Sequence, residues 1–351
     1  MNADRVGKGA YGISSDYLIS LSEQAFERGM SVADLLAGSG LEAGILLQQE
    51  ATIGHESFLT AMDNFCAHDG NFWTALEGGR RMTMSKHGYV GYAAQHSHTL
   101  LEAAEKLYRY VTTRIELFDL QRGEHPQRAE LFLVPRISDS DTVRYVSLNF
   151  LVCLETLCRQ ILGRSASNIP SCITLTGAPP STPMPPLPAG SQVVFNSEHY
   201  SLSWPRSIMD AQIPARDEDL ARLAEARCES DLRRQREQQT VAERVSRQLQ
   251  QLEGSLPPLE EIAARLNMSM ATLKRRLKAE GASYQQLKDD QRLRQASAWL
   301  MEGQLTVDQI ADRLGYSDAS NFAKAFKGWT GQSPSSFRQA AGLASASDGQ
   351  Q

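Results

Sequence analysis

Six cations in two short stretches carry the clearest chemical signal in this chain of 351 residues. The first, Leu273-Lys-Arg-Arg-Leu-Lys278, holds Lys274, Arg275, Arg276 and Lys278. The second, Phe322-Ala-Lys-Ala-Phe-Lys327, holds Lys324 and Lys327. In both, two large apolar residues stand at i and i+4, which places them on one side of a helix and fixes the opposite side. With Leu273 and Leu277 inward, Ala271, Lys274, Arg275 and Lys278 face outward. With Phe322 and Phe326 inward, Ser320, Ala323, Lys324 and Lys327 do the same. A cationic helix face of this size suits the major groove of DNA, where a bidentate Arg–guanine contact is the commonest specific one. Arg275 is the expected base contact and Lys324 its counterpart. Arg276, Lys278 and Lys327 are expected on phosphates, which supply affinity without sequence information. Ala271 and Ala323 are placed to touch a thymine methyl. The competing interpretation is a solvated helix face; the features that flank these stretches decide against it.

Those features form an internal repeat, Leu259–Leu287 and Val307–Phe337. Ile262 and Leu266 match Ile310 and Leu314 at an offset of 48. Leu273 and Leu277 match Phe322 and Phe326 at 49, and Gly281, Ser283 and Leu287 match Gly331, Ser333 and Phe337 at 50. The offset grows by one at successive turns, as single-residue loop insertions would produce. Each copy predicts a helix, a turn and a second helix, over about 259–280 and 307–330. Thr306 is an expected cap, as are Ser269 and either Ser317 or Asp318. Gly315 supplies a left-handed turn residue, and Asn267 is the next-best type for the same position. Tyr284–Met301 predicts one connecting helix with Leu287, Leu293, Ala296 and Leu300 inward. Eighteen residues span about 27 Å at ~1.5 Å per residue. That approaches the ~34 Å between successive major grooves on one DNA face, so one chain could engage two grooves without dimerising. A homodimer stays open.

The first 215 residues mix helices and strands. Helical spacing is seen over 16–37 (Leu18, Leu21, Ala25 and Phe26, with Gly29 as a stop), Ser57–His68, Thr99–Ile115 and Tyr145–Leu162. Strands are expected at Glu130–Pro135, Ile173–Thr176, Gln192–Phe195 and Ser201–Trp204. The proline-rich run 179–188 is a stiff connector between two strands rather than a peptide ligand. From Asp217 to Gln251 the apolar residues keep no strict heptad, so no coiled coil is expected. A helix closing the first domain, a hinge near 235–240 and the first helix of the second domain are. The fold class is α+β: a mixed α/β domain over 15–236, then an all-α domain over 240–340.

The string Ile310-Ala-Asp-Arg-Leu-Gly-Tyr-Ser-Asp-Ala-Ser-Asn-Phe-Ala-Lys-Ala-Phe-Lys-Gly-Trp-Thr-Gly-Gln-Ser-Pro-Ser-Ser-Phe-Arg338 resembles the signature of the AraC/XylS family of transcription regulators. The resemblance implies a seven-helix domain that binds double-stranded promoter DNA, with RNA polymerase as a partner and activation as the usual outcome. Gly88–Ala94, Thr99–Ala104 and Phe195–Pro214 are similar to the sensor domain of a subgroup that includes ornithine-responsive regulators. That implies a mixed α/β domain for a small-molecule effector, not the double-stranded β-helix barrel of the sugar-responsive archetype.

Composition is compatible with this. The formal net charge is −5, which alone argues against nucleic acid. Its distribution does not: residues 240–341 carry 14 Lys/Arg and 11 Asp/Glu, the remainder 22 and 30. The five cysteines, Cys66, Cys153, Cys158, Cys172 and Cys228, follow no disulfide framework and suggest free thiols in a reducing cytosol. Val146–Leu162 is too short and too polar to span a membrane, and Met1–Tyr11 lacks a signal-peptide core. A cytoplasmic protein without membrane contact is expected. His96-Ser-His98 suggests a loop or cap rather than metal ligands. Trp73, Tyr89 and Tyr92 are candidates for an effector pocket, though core is the commoner role. No metal, cofactor or catalytic residue is expected. An enzyme fused to the DNA-binding domain is the alternative, as in alkyl-transferring repair activators, but no cysteine sits between Pro and His. Nor does a triad, phosphate loop or HExxH string appear. A merely structural first domain is a third reading.

Overall fold

The computed structural model describes residues 5–6, 12–137, 139–163, 169–214, 216–238, 240–250, 252, 254–302 and 305–340. They divide into two units, residues 1–237 and 238–351.

The first unit opens with a small sheet in the order β1 (Arg5–Val6), β3 (Thr52–Gly54), β2 (Gly12–Ser14). The stretch 16–37 is two helices, α1 (Ser15–Glu27) and α2 (Val32–Leu36), parted where Gly29 takes φ +77°. Leu18, Leu21 and Ala25 are buried as their spacing predicts, but Phe26 is 78% exposed. At about 100° per residue it lies well off the stripe the other three share. Next come α3 (His55–Asp69), α4 (Thr74–Arg81), α5 (Gly88–Gln95) and α6 (Leu100–Tyr110). The spacing over Thr99–Ile115 predicted one helix; Thr99 caps α6, and a short 3-10 turn, Val111–Thr113, finishes it.

The main sheet is built from β4 (Phe118–Glu124), β5 (Arg128–Pro135), β6 (Ser171–Thr174), β7 (Ser191–Val194) and β8 (Tyr200–Pro205), in the order β4-β5-β8-β6-β7. It is open, with β4 and β7 at its edges. β6 and β7 pair in parallel, so the chain between them must cross over. The proline-rich run makes that crossover, and Trp73 Nε1 donates to Thr182 O at 3.0 Å to pin it.

Across this sheet packs α7 (Asp141–Leu162), capped by Ser140. The sequence placed its start at Tyr145; with the extra turn it reaches 22 residues and is long and apolar enough to cross a membrane, correcting the estimate from Val146–Leu162. Its apolar residues are instead spent on the core: Val143, Leu148, Leu151 and Leu162 are each buried. Two glycines in α4 let it approach. A Cβ on Gly79 would lie 2.5 Å from Asn149 O and 2.8 Å from Val152 Cβ. Glu155, 4% exposed, accepts from Arg159 Nη2 at 3.0 Å and from the Ser191 hydroxyl at 2.6 Å, tying α7 to β7. At the other side of α7, the Tyr17 hydroxyl is hydrogen-bonded with His87 Nδ1 at 3.2 Å, and His87 Nε2 lies 3.1 Å from Cys153 Sγ.

The unit closes with α8 (Glu218–Gln238). Ala224, Cys228 and Leu232 pack against Val90, Ala93 and Tyr110 of α5 and α6. The Tyr110 hydroxyl donates to Glu229 at 2.6 Å, and Gln235 Nε2 donates to Thr112 O at 2.7 Å. Leu220 and Leu223 are 47% and 63% exposed. Helix therefore runs into the 235–240 segment where a hinge was expected, and α9 (Val241–Gln250) starts soon after.

The second unit continues with α10 (Leu259–Arg265), α11 (Met270–Ala279), α12 (Tyr284–Glu302), α13 (Val307–Arg313), α14 (Ala319–Thr330) and α15 (Pro334–Ala340). It has two cores. In the first, Val245 and Leu249 meet Ile262, Leu273 and Leu277. In the second, Ala296 and Leu300 meet Ile310, Phe322 and Phe326. Helix α12 feeds both, with Tyr284 and Leu287 on the first and Leu293, Ala296 and Leu300 on the second. The two turns are built alike. Asn267 takes φ 55° and Gly315 φ 78°. Met268 N donates to Ala263 O at 2.8 Å, and Tyr316 N to Ala311 O at 2.9 Å.

Two outcomes test this packing. Burial, with Arg114 adding to it, pushes the His87 imidazole down to about 4 from its ordinary 6.5. The unfolded chain therefore takes up a proton that the folded one refuses as pH falls from 6.5 toward 4, and stability drops across that window. The drop attributable to His87 is at most about 3 kcal/mol. Urea midpoints measured against pH should show it, and His87→Gln should flatten that part of the profile. At the first turn, Asn267→Gly should leave stability unchanged or raise it slightly, whereas Asn267→Val should cost about 1–2 kcal/mol, because a β-branched residue resists positive φ. Chemical denaturation of the pair separates them.

Candidate nucleic-acid interface

The side chains singled out at the C-terminal end are positioned by three local devices. The first is the anchor pair. Leu273 and Leu277 are 0% and 1% exposed, and Phe322 and Phe326 are both 0% exposed, so the rotation of α11 and α14 about their axes is fixed. The Phe322 and Phe326 rings lie 5.7 Å apart, and Phe326 meets Phe337 edge-on at 5.3 Å.

The second device is the cap. Ser269 Oγ accepts from the Thr272 amide at 3.1 Å at the start of α11. Asp318, not Ser317, caps α14, accepting from the Asn321 amide at 2.7 Å. Those amide donors hold its carboxyl below the usual carboxylate range. Ahead of α13, Thr306 and Gln309 form a reciprocal capping box, with Gln309 Oε1 accepting from Thr306 N at 2.8 Å. Helix α10 starts at Pro258 with no side-chain cap bond, so the two copies differ there.

The third device is a tie at the far end of α11. Glu280 accepts from the backbone amides of Val241 and Ala242 at 2.9 and 2.7 Å, joining α11 to the first turn of α9. In the second copy, Arg292 of α12 lies 5.0 Å over the Tyr316 ring, which holds the turn before α14. A Cβ at Gly315 would come within 2.8 Å of Ser255 Oγ, which would have to turn aside, so the positive φ is the stronger demand for glycine at this turn.

With rotation fixed, the predicted outward set is largely outward. Ala271, Lys274, Arg275, Arg276 and Lys278 are exposed on α11; Ser320, Lys324 and Lys327 are exposed on α14. Ala323 departs from the set and is half-buried. Among the described residues, none of the six cations makes an ion pair, whereas nearby Arg265 is engaged by Glu261 at 2.6 Å. Sequence reasoning passed over Met270, which is 41% exposed in the first turn of α11. The signal was available: it follows the Ser269 cap directly, and the N-terminal residues of a recognition helix meet base edges. The two helix-turn-helix copies are joined by α12, whose 19 residues span about 28 Å.

The earlier candidates elsewhere resolve differently. A cavity of about 360 Å³ lies within the first unit, walled by α5, α6, α7 and the main sheet. Trp73, Tyr89 and Tyr92 do not line it. Trp73 is core and meets Phe195 at 5.8 Å; Tyr89 sits under the Arg227 guanidinium at 5.6 Å. These aromatics failed as markers because α5 turns Val90, Gly91 and Ala94 to the cavity instead. His96 caps the end of α5, and His98 Nδ1 meets Arg216 at 2.7 Å. Burial pushes the Cys66, Cys158 and Cys228 thiols up to about 12, and raises Cys153 further.

Comparison with known proteins agrees with this division. Residues 29–213 match the family described as the arabinose-binding domain of AraC transcription regulators, and residues 262–340 match a helix-turn-helix domain. The chain is 27% identical over 331 residues to an uncharacterised HTH-type transcriptional regulator of Mycobacterium tuberculosis, covering 90% of this chain and 93% of that one. It is 28% identical over 263 residues to the ornithine utilization regulator of Pseudomonas aeruginosa, covering 75% and 77%. Among solved structures, the transcriptional regulator CdpR of Pseudomonas aeruginosa aligns over 92% of this chain and 98% of its own at 18% identity, with a TM-score of 0.45. The chain belongs to the AraC family of transcription regulators, with an N-terminal ligand-binding domain and a C-terminal helix-turn-helix DNA-binding domain.

Proposed function

We propose that the protein is an effector-controlled activator that sets α11 and α14 into consecutive major grooves of a promoter. The observation that carries this is the two pairs of apolar anchors beneath six exposed cations, none of which makes an ion pair among the described residues. Arg275 reads a guanine and Lys324 takes the matching place in the second groove. Arg276, Lys278 and Lys327 hold phosphates, and Ala271 meets a thymine methyl. Ala323, half-buried, contributes less. The protein works in the cytoplasm, on double-stranded DNA, with RNA polymerase as its eventual partner; nothing in this reading requires a dimer.

It acts by binding rather than by catalysis. An alkyl-accepting cysteine would have to be a thiolate at neutral pH, and burial pushes the thiols of Cys66, Cys153, Cys158, Cys172 and Cys228 up, away from that range.

Control by a small molecule has a physical route. Helices α5 and α6 wall the cavity with one face and carry α8 on the other. Lys106 of α6, 8% exposed, pairs with Glu102 at 2.9 Å and faces Glu225 of α8 at 3.7 Å. A ligand that shifts α5 and α6 therefore biases α8, the last element before the DNA-binding unit.

Arg275→Ala should lower affinity for a mapped promoter by about 1–3 kcal/mol and relax preference at one base pair. Lys278→Ala should weaken binding to all sequences alike and flatten the salt dependence. Titration of labelled promoter at two salt concentrations checks both; an Arg275→Ala protein with unchanged affinity and specificity would contradict the assignment.

A further inference from the structure

The interior of the cavity has the wrong chemistry for a free sugar. Its walls are Leu107, Leu131, Phe150, Leu154, Ile161 and Trp204, with further aliphatic groups between them. A sugar needs a polar partner for nearly every hydroxyl, since a buried hydroxyl without one is costly. Most polar groups at the inner end are already committed, with Arg114 Nε left as a single buried donor without a partner among the described residues. The Tyr17 hydroxyl is bound to His87, His87 to Cys153, and Arg114 to Asp16, with Glu50 3.9 Å away. Burial and the Arg114 charge keep His87 neutral at physiological pH, so that end also offers no titrating group.

The mouth is different. Arg122 and Arg206 line it and are exposed. Arg122 lies over the Tyr108 ring at 5.7 Å and makes a loose, exposed pair with Glu105 at 3.7 Å, and Arg206 donates a long bond, 3.3 Å, to His125 O. Of the acidic residues that line the cavity, Glu130 is held by Arg128 at 3.1 Å and Asp210 is exposed. A planar guanidinium matches a carboxylate bidentately, and a charged group placed here keeps its contact with water while its apolar part enters the cavity. At ~30 Å³ per water-sized group, the cavity holds about a dozen non-hydrogen atoms.

We propose that this cavity is the effector site and that it takes a lipophilic carboxylate of about that size, with the carboxylate at the Arg122–Arg206 mouth and the apolar part against α6 and α7. This rests on the effector-controlled reading above and specifies its ligand. Small residues on the wall, among them Gly91, Ala94 and Ala104, leave the space open.

Calorimetric titration of the full chain with decanoate, 1-decanol and L-arabinose tests it. Decanoate should bind one per chain, and arabinose should give no heat. Ala104→Trp, which fills the space, should weaken decanoate by about tenfold or more. Arg122→Gln should weaken decanoate by about three- to tenfold and leave decanol alone. This second variant keeps the test decisive should the tryptophan disturb folding. Arabinose binding in place of decanoate, or decanoate binding that neither substitution changes, overturns the assignment. Promoter affinity measured with and without decanoate separates the two layers. Binding that leaves promoter affinity unchanged removes effector control but keeps the site; arabinose that binds and shifts promoter affinity keeps control but removes this site.

Discussion

Burial of two apolar residues one helical turn apart, Leu273 with Leu277 and Phe322 with Phe326, is the interaction on which the rest of the DNA-binding unit depends. A ten- or twelve-residue helix has little stability of its own in water. Once both residues of a pair are in a core, the helix is held and its rotation is no longer free. The cations gain nothing from the fold; they are exposed because the opposite side is needed inside. Truncating Phe326 to alanine would therefore do more than open a void. It would release the orientation of every outward residue on α14.

Two such helices are useful together only if something stiff joins them. Helix α12 does this by dividing its own apolar residues between two cores, Tyr284 and Leu287 at one end and Ala296 and Leu300 at the other. A flexible linker would impose an ordering cost on engaging the second groove; a helix anchored at both ends has already met it in folding. The same economy appears in the first unit, where α5 and α6 serve as cavity wall on one face and as the seat of α8 on the other.

The C-terminal half was legible because its determinants are local. Caps at Ser269 and Thr306, the positive-φ residues Asn267 and Gly315, and anchors spaced by four are each set within a few residues. Repetition of the set makes coincidence improbable. The remaining ambiguity, Ser317 against Asp318, turned on which oxygen reaches the Asn321 amide. The N-terminal half was legible only in part. Long apolar helices such as α7 announced themselves, but β4, Phe-Asp-Leu-Gln-Arg-Gly-Glu, is polar and became a strand by pairing with β5. Phe26, grouped with the apolar stripe of α1, lies off that stripe and faces solvent. The cavity could not be foreseen, because its walls come from residues as far apart as Tyr17 and Asp210 and are mostly ordinary aliphatics. Aromatic residues drew attention to Trp73, Tyr89 and Tyr92, while small residues on α5 and α6 made the space.

Hydroxyl-radical footprinting of the full chain on one of its own promoters puts the two-groove geometry to the most direct test. The account predicts two protected segments on one face of the duplex, their centres about 10 base pairs apart, with saturation at one chain per site. Protection confined to a single groove, or a pair of segments that appears only when two chains bind, would contradict it.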